Sequence, residues 1–497
     1  MPSKNIDICC IYSIEDYATL RAPLIDPLQI PFGISYVATI LKNNGYNVDL
    51  LVLTHDSDLE VVMTDYAKEN YPFLFCLTSV ASEFPFICKV CKIIKKRFPS
   101  TYIAVGGSHT SLFPDYSIKQ PHIDCVCIGE GELAMLALAS SIKQNVRITS
   151  INNLWIKDKL SGVVEKNKTA NFLEDLDSLP FIDRQMWQPW ISNINSPYSI
   201  LVGRGCPYRC SYCSNHKLSG VADGRYLRYR SPDNVIAEIK YILISNPSAE
   251  SIYFEVETLG FDHKYDEDFL KKLRFYNFSL RKPLSFGCNL TLTKEISQSE
   301  ALLEKFKAAN FKFLNIGLES GSERIRREVL NRPYYSNESI IRFCALAKKF
   351  NIEIHMYVLL GIPGENYLDF KETIDCVRKC DPGKVSLSIY YPYPGTTLYD
   401  AVRKKKYLKT DIAEVRLERK LPRLDLPDFS KKEIIKDYIL FPYFVFKGNT
   451  PLYKISLLVI KNLLNTNYKL NRIYRLLTEN IFFRKKKLKL IRLFFGD

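Results

Sequence analysis

The 497-residue sequence predicts an α/β protein: a doubly wound, Rossmann-like parallel sheet, then a partial (β/α)6 barrel of TIM type, then a basic, mostly helical C-terminal region. Three observations carry this. Short apolar runs alternate with amphipathic, helix-period segments over residues 1–145 and again over 198–402, the pattern of successive βαβ units. Residues 146–197 between them are polar and Pro-punctuated (LEDLDSLPFIDRQMW, QPWISNINSP) and read as a linker. Charge also segregates. Residues 403–497 hold 24 Lys and Arg against 9 Asp and Glu, so the whole net charge of +15 lies there and residues 1–402 balance.

In the first part, IDICCIY, NVDLLVL, FLFCLTSV, TYIAVGG and DCVCIG read as strands. ISYVATILKNNG, FPFICKVCKIIKKRF and HTSLFPDYSIKQ read as the helices between them. Ligands of such sheets bind at the strand C-termini. The loops there contain Ser79–Ser82, Gly106-Gly107-Ser108-His109 and Gly129-Glu130-Gly131-Glu132. Glycine lets backbone approach a ligand closely, though the same residues also suit plain tight turns. In the second part, six apolar strand candidates from YSILVGRG to KVSLSIYYPYPGT alternate with helices, two of them opened by Ser231-Pro232 and by Ser299. A barrel places its chemistry at the strand C-termini, where the Gly-rich and charged segments fall. No window approaches the ~18 apolar residues of a membrane span, and MPSKNIDICCIYSIEDY lacks the form of a secretory signal. A cytoplasmic protein is expected.

Fourteen cysteines at irregular spacing argue for reduced thiols, with any tight cluster metal-binding or catalytic. Cys9, Cys10, Cys76, Cys125 and Cys127 sit in apolar strands and read as small buried hydrophobes. The CxxC of Cys88 and Cys91 and the pair Cys376 and Cys380 fit apolar helix faces. GRGCPYRCSYCSNH at 203–216 is different. Cys206, Cys210 and Cys213 share one Gly/Pro-punctuated loop after a strand, a disposition able to wrap three thiolates around an iron–sulfur cubane. Three ligands for four irons leave one iron open to a substrate. Zinc is the rival, with His216 as its fourth ligand.

CxxxCxxC with an aromatic, Tyr212, before the third cysteine resembles the signature of the radical S-adenosylmethionine (SAM) superfamily. Further segments match in order: Arg228-Tyr-Arg-Ser-Pro followed by Glu238, IYFEVETL at 252–259, IGLESGS at 316–322, LGIPGE at 360–365 and YPGTTL at 393–398. The resemblance implies a 4Fe-4S cluster whose open iron chelates SAM and whose electron cleaves it to methionine and a 5′-deoxyadenosyl radical. It implies SAM contacts from Tyr212, Glu257, Glu319, Ser320, Gly361, Pro363 and Gly364. Glu319 would accept from the ribose hydroxyls and Glu257 would hold the methionine ammonium. Val256 stands where the family often has an acid, and either glutamate also fits a cap or an ion pair.

The first part carries a second resemblance. VGGSHTSLFP at 105–114 and DCVCIGEGE at 124–132 are similar to the cobalamin-binding domain that precedes class B radical SAM methyltransferases and the anaerobic magnesium-protoporphyrin ester cyclases. This implies cobalamin held by Ser79, Ser82, Gly106, Gly107, Ser108, Gly129 and Gly131. DxHxxG, which gives cobalt a histidine elsewhere, is absent, and His55 and His109 lie in other contexts. The implied reaction is methyl transfer to an unactivated carbon, a second SAM recharging cobalt. Oxidative cyclisation or rearrangement is the alternative, and methylthiolation a weaker one. Implied partners are a small-molecule substrate (lipid-like or a natural-product precursor) and an electron donor such as flavodoxin or ferredoxin, with no nucleic acid. The basic tail, including KISLLVIKNLL and RKKKLKLIRLFF, suits either a solvated helical cap or peripheral contact with an anionic membrane.

Overall fold

The computed structural model describes residues 6–194, 197–408, 417–467 and 469–470. The first domain runs β1 (Ile8–Ile14), α1 (Phe32–Asn43), β2 (Val48–Thr54), α2 (Leu59–Tyr66), β3 (Leu74–Thr78), α3 (Phe84–Arg97), β4 (Tyr102–Gly106), α4 (Ser108–Leu112), α5 (Pro114–Ile118), β5 (Cys125–Cys127) and α6 (Glu132–Lys143). Strands β1 to β5 are parallel in the order β2-β1-β3-β4-β5. The order in which strands are added therefore reverses between β1 and β3, and the crevice at that switch point is the expected ligand site. Strand residues alternate between two cores. Cys10, Leu50, Cys76, Ala104 and Cys125 pack toward α1 and α6, whereas Cys9, Ile11, Phe75, Leu77 and Val105 pack toward α2 and α3. The strand cysteines are buried core residues.

The segment 146–197 differs from the linker the sequence suggested. β6 (Leu154–Lys157) and β7 (Val164–Lys166) extend the first sheet antiparallel beyond β5, so this stretch begins inside the first domain. Strands of four and three residues, three of the seven polar, are too short for their alternation to show in sequence. The rest of the stretch packs against both domains. Trp187 is buried beside the first sheet, and Arg184 reaches Glu238 at 2.8 Å in the second domain.

The second domain runs β8 (Tyr198–Leu201), β9 (Gly203–Arg204), α7 (Asn215–Leu218), β10 (Arg228–Tyr229), α8 (Pro232–Ser245), β11 (Ser251–Leu259), α9 (His263–Ser279) and β12 (Ser285–Leu290). It continues with α10 (Glu300–Ala308), β13 (Phe311–Glu319), α11 (Asn337–Lys349), β14 (Glu353–Leu360), α12 (Tyr367–Cys380), β15 (Lys384–Ile389) and α13 (Thr397–Lys404). Six parallel strands form one open sheet, β15-β14-β13-β12-β11-β8. This is the partial barrel, backed by an apolar core from Ile200, Phe254, Phe286, Leu314 and Met356. The Ser231 and Ser299 hydroxyls cap α8 and α10 as expected. The C-terminal region adds α14 (Lys431–Phe446) and α15 (Leu452–Asn465). Ile434 of α14 packs within 3.1 Å of where a Cβ on Gly361 would stand, so α14 lies over the end of β14. Among the described residues no helix is long and apolar enough to cross a membrane. RKKKLKLIRLFF lies outside the described residues.

Candidate functional site: a cysteine loop facing a glycine-lined sheet edge

The cysteine loop leaves β9 through Gly205, whose φ of +89° and 2.3 Å Cβ approach to the Tyr226 carbonyl admit no side chain. The segment after β13 clamps the loop. Ser211 donates from N to the Leu330 carbonyl (2.9 Å) and from Oγ to the Val329 carbonyl (2.6 Å), and Asn331 Nδ2 donates to the Arg209 carbonyl (2.9 Å). The Val329 and Leu330 acceptors close a π-helical turn, Ile325–Val329, a geometry that costs energy and gathers at functional sites. Burial, with Glu257 adding its charge, pushes the Cys206 thiol up to about 12, and burial also raises Cys210 and Cys213. Such thiols ionise when a metal displaces their protons into water.

The loop's donor set fits a cubane. His216 is not a free fourth ligand: its Nδ1 lies 2.6 Å from the Cys213 carbonyl, to which it must donate, and its Nε2 lies 2.8 Å from Thr397 Oγ1. Among the described residues no three His, Cys, Asp or Glu side chains converge as a single ion requires. A cubane makes no such demand, since its cysteines bind separate irons.

Around the loop, the barrel supplies acids and amides. Tyr212 donates to Glu319 Oε1 (3.0 Å), and Arg332 donates to the Tyr212 hydroxyl (2.5 Å), to Glu319 Oε1 (3.3 Å) and to the Gly317 carbonyl (2.8 Å). Glu319 sits at φ +60°, where the β13–β14 register shifts. A bulge there turns the carboxylate toward the cysteine loop, and a Cβ at Gly317 would come within 2.4 Å of Oε1. Oε1 is thus satisfied, while among the described residues no donor reaches Oε2. Asn215 Nδ2 approaches Cys213 Sγ at 3.6 Å, and its Oδ1 accepts from Tyr226 at 2.6 Å. Burial raises the Glu257 carboxyl, and Asn215 opposes that shift. Glu257 still opens to a cavity.

Glu255 was missed in the sequence. It stands two residues before Glu257, hence on the same inner side of β11. Burial and the Glu257 charge push it up to about 7. Arg332 was missed as well, since no motif contains it.

Two cavities separate the domains. The first, about 370 Å³, is lined by Cys76, Ala104, Gly106, Gly107, Ser108, Gly129 and Gly131 of the first domain, and by Arg204, Gly205, Asn215 and Glu257 of the second. Gly107 is obligatory: φ is +101°, and a Cβ would stand 2.4 Å from the Ser79 carbonyl. The second, about 520 Å³, joins Ser82, Glu83, Ser108 and His109 to Tyr212, Cys213, Tyr393 and Glu418. Ser108 belongs to both. His109 is 7% exposed, neither ring nitrogen has a hydrogen-bond partner among the described residues, and burial drops its pKa to about 4. A glycine cradle and an unpartnered buried imidazole fit a large polar cofactor lying between the domains.

The remaining expected contacts lie apart from these cavities. Ser79 is absorbed in the loop, its N–H on the Gly106 carbonyl (2.9 Å) and its carbonyl on the His109 N–H (3.2 Å). Ser320 is fully buried beside Thr373. Gly361, Pro363 and Gly364 line neither cavity; they shape the turn after β14, where Glu365 accepts from the Gly361 and Ile362 amides at 2.6 and 3.1 Å.

Residues 26–139 match the B12 binding domain, and residues 200–377 match the radical SAM superfamily. The chain is a radical SAM protein with a B12-binding domain. It is similar to an uncharacterized methyltransferase of Pyrococcus horikoshii, 24% identical over 74% of this chain and 78% of that protein. It is also similar to the anaerobic magnesium-protoporphyrin IX monomethyl ester cyclase of Rubrivivax gelatinosus, 25% identical over 76% of this chain and 66% of the cyclase. In fold, it resembles the cobalamin-dependent SAM radical enzyme OxsB, solved with aqua-cobalamin and SAM. That likeness has a TM-score of 0.67 at 15% identity and covers 99% of this chain and 77% of OxsB.

The radical SAM and B12-binding domains are joined by a buried ionic knot. Arg204, two residues before the first cysteine, pairs with Glu130 (2.9 Å) and Glu132 (2.5 Å) of the first domain, and Arg228 pairs with Glu130 (2.9 Å). Arg228 and Arg204 hold the Glu130 carboxyl below its usual range even though burial pushes the other way.

Proposed function

We propose that this protein is a cobalamin-dependent radical SAM methyltransferase acting on an unactivated carbon of a small molecule, with electrons from a flavodoxin- or ferredoxin-like donor. One observation carries the reading: Cys213 of the cysteine loop and Ser108 and His109 of the B12-binding domain line the same cavity. When bound, the cluster with SAM supplies one-electron hydrogen abstraction, and cobalamin supplies a methyl donor.

The chain's own residues hold and orient. Cys206, Cys210 and Cys213 would each hold one iron. Tyr212 and Arg332 fix Glu319, which would accept from a ribose hydroxyl of SAM, and Glu257 would offer a carboxylate to its ammonium group. Gly106, Gly107 and Ser108 would let the backbone approach cobalamin closely between the domains. Glu255, poised near neutrality, is placed to hold a proton on the inner side of the barrel.

Oxygen-protected enzyme given SAM labelled in its methyl group, a reductant and candidate substrates tests this. Labelled product is expected, with one 5′-deoxyadenosine and one S-adenosylhomocysteine for each methyl transferred. 5′-Deoxyadenosine together with a converted but unlabelled product would instead establish cyclisation or rearrangement. Cys210→Ala is expected to lose the cluster and all 5′-deoxyadenosine formation, read by iron content and chromatography.

A further inference from the structure

We infer that the outer face of α15 is a docking surface for an anionic phospholipid bilayer. Among the described residues, helix α15 packs against the protein along one side, where Leu458, Val459 and Asn462 are partly buried. Ile455 is its one buried residue, and Asn462 donates to the Tyr438 carbonyl at 2.8 Å on α14. The opposite side is apolar and open: Leu452 is 66% exposed, Leu457 36%, Ile460 50% and Leu463 46%. At 100° per residue these four span one arc of the helix, and Lys454 and Lys461, seven residues apart, flank it on one side.

Charge selects the occupant. Residues 447–497 hold twelve Lys and Arg against two Asp and Glu, with no acid before Glu479. An apolar arc beside a cationic border favours a surface that is oily within and negative at its rim. A second copy of this chain would bring another cationic border against the first. The helix, 14 residues long, measures about 21 Å, short of the roughly 30 Å hydrocarbon core, so it lies along the interface rather than across it.

Flotation of the full-length, cluster-loaded enzyme tests this with vesicles of pure phosphatidylcholine and of phosphatidylcholine containing roughly one third phosphatidylglycerol. Co-flotation is expected with the anionic vesicles, weakened by high salt, and not with the neutral ones. The double variant Leu457→Asp with Ile460→Asp is expected to lower that partition more than tenfold while 5′-deoxyadenosine formation stays unchanged, which shows the variant folded and reads the proposed chemistry separately. Absence of anionic flotation, or flotation equal in the variant, overturns the proposal. So does light scattering that finds a vesicle-free dimer which the variant dissociates, since the face would then be covered by a second copy.

Discussion

Tyr212 has two roles that one substitution separates. It lies inside the cysteine motif, yet its hydroxyl belongs to the Glu319–Arg332 pair. Tyr212→Phe removes a neutral hydroxyl bonded to charged partners, a loss of about 1.5–3 kcal/mol, so SAM binding is expected to weaken roughly tenfold or more. The cluster's paramagnetic signal should persist; its loss would mean the hydroxyl supports the loop rather than SAM. Glu365 makes a pH-dependent prediction. Burial raises its carboxyl from 4.5 to about 8 although two amides favour the charged form. The folded chain thus holds a proton that the unfolded chain has lost, and stability falls as pH rises from 4.5 toward 8. Glu365→Gln is expected to melt higher than the parent at pH 8.5 and alike near pH 4.5, by thermal scans. At this scale the cysteines were legible because their spacing is itself the chemistry. Arg332 and Glu255 were not, because one acts from thirteen residues beyond Glu319 and the other is marked only by strand alternation.

Among the elements, β9 and the loop between β5 and α6 do the joining. Arg204→Met strands Glu132 without its cation and leaves Glu130 with Arg228 alone, and breaking a buried pair costs about 3–5 kcal/mol. A melting temperature lowered by several degrees is expected, with iron content retained; an unchanged melting curve would mean the knot carries no stability. Strands and helices were readable wherever period and length agreed, as in β1 to β5 and in α8, α10 and α11. β6 and β7 were not readable, because four and three residues give alternation no room. HTSLFPDYSIKQ, read as one helix, splits into α4 and α5, since Pro114 cannot continue a helix begun before it.

For the whole molecule, the cavities are walled by both domains, so cobalamin should stabilise them as one body. Hydroxocobalamin at about a hundredfold over its dissociation constant adds roughly 2.7 kcal/mol, and a single transition shifted upward is expected in calorimetry. A shift confined to one of two transitions would place the cofactor in the first domain alone. The two-domain plan was legible in sequence because each half repeats its own βαβ rhythm. The interface between them was not, since Glu130 and Arg204 are 74 residues apart and nothing local marks them as partners. That knot also limits how these proteins can be recombined. With Gly205 alone between Arg204 and Cys206, there is no slack to absorb a mismatched joint. A chimera that exchanges the front half for a relative's must carry over both glutamates in register, or two guanidinium groups will be shut into the seam with no counter-charge.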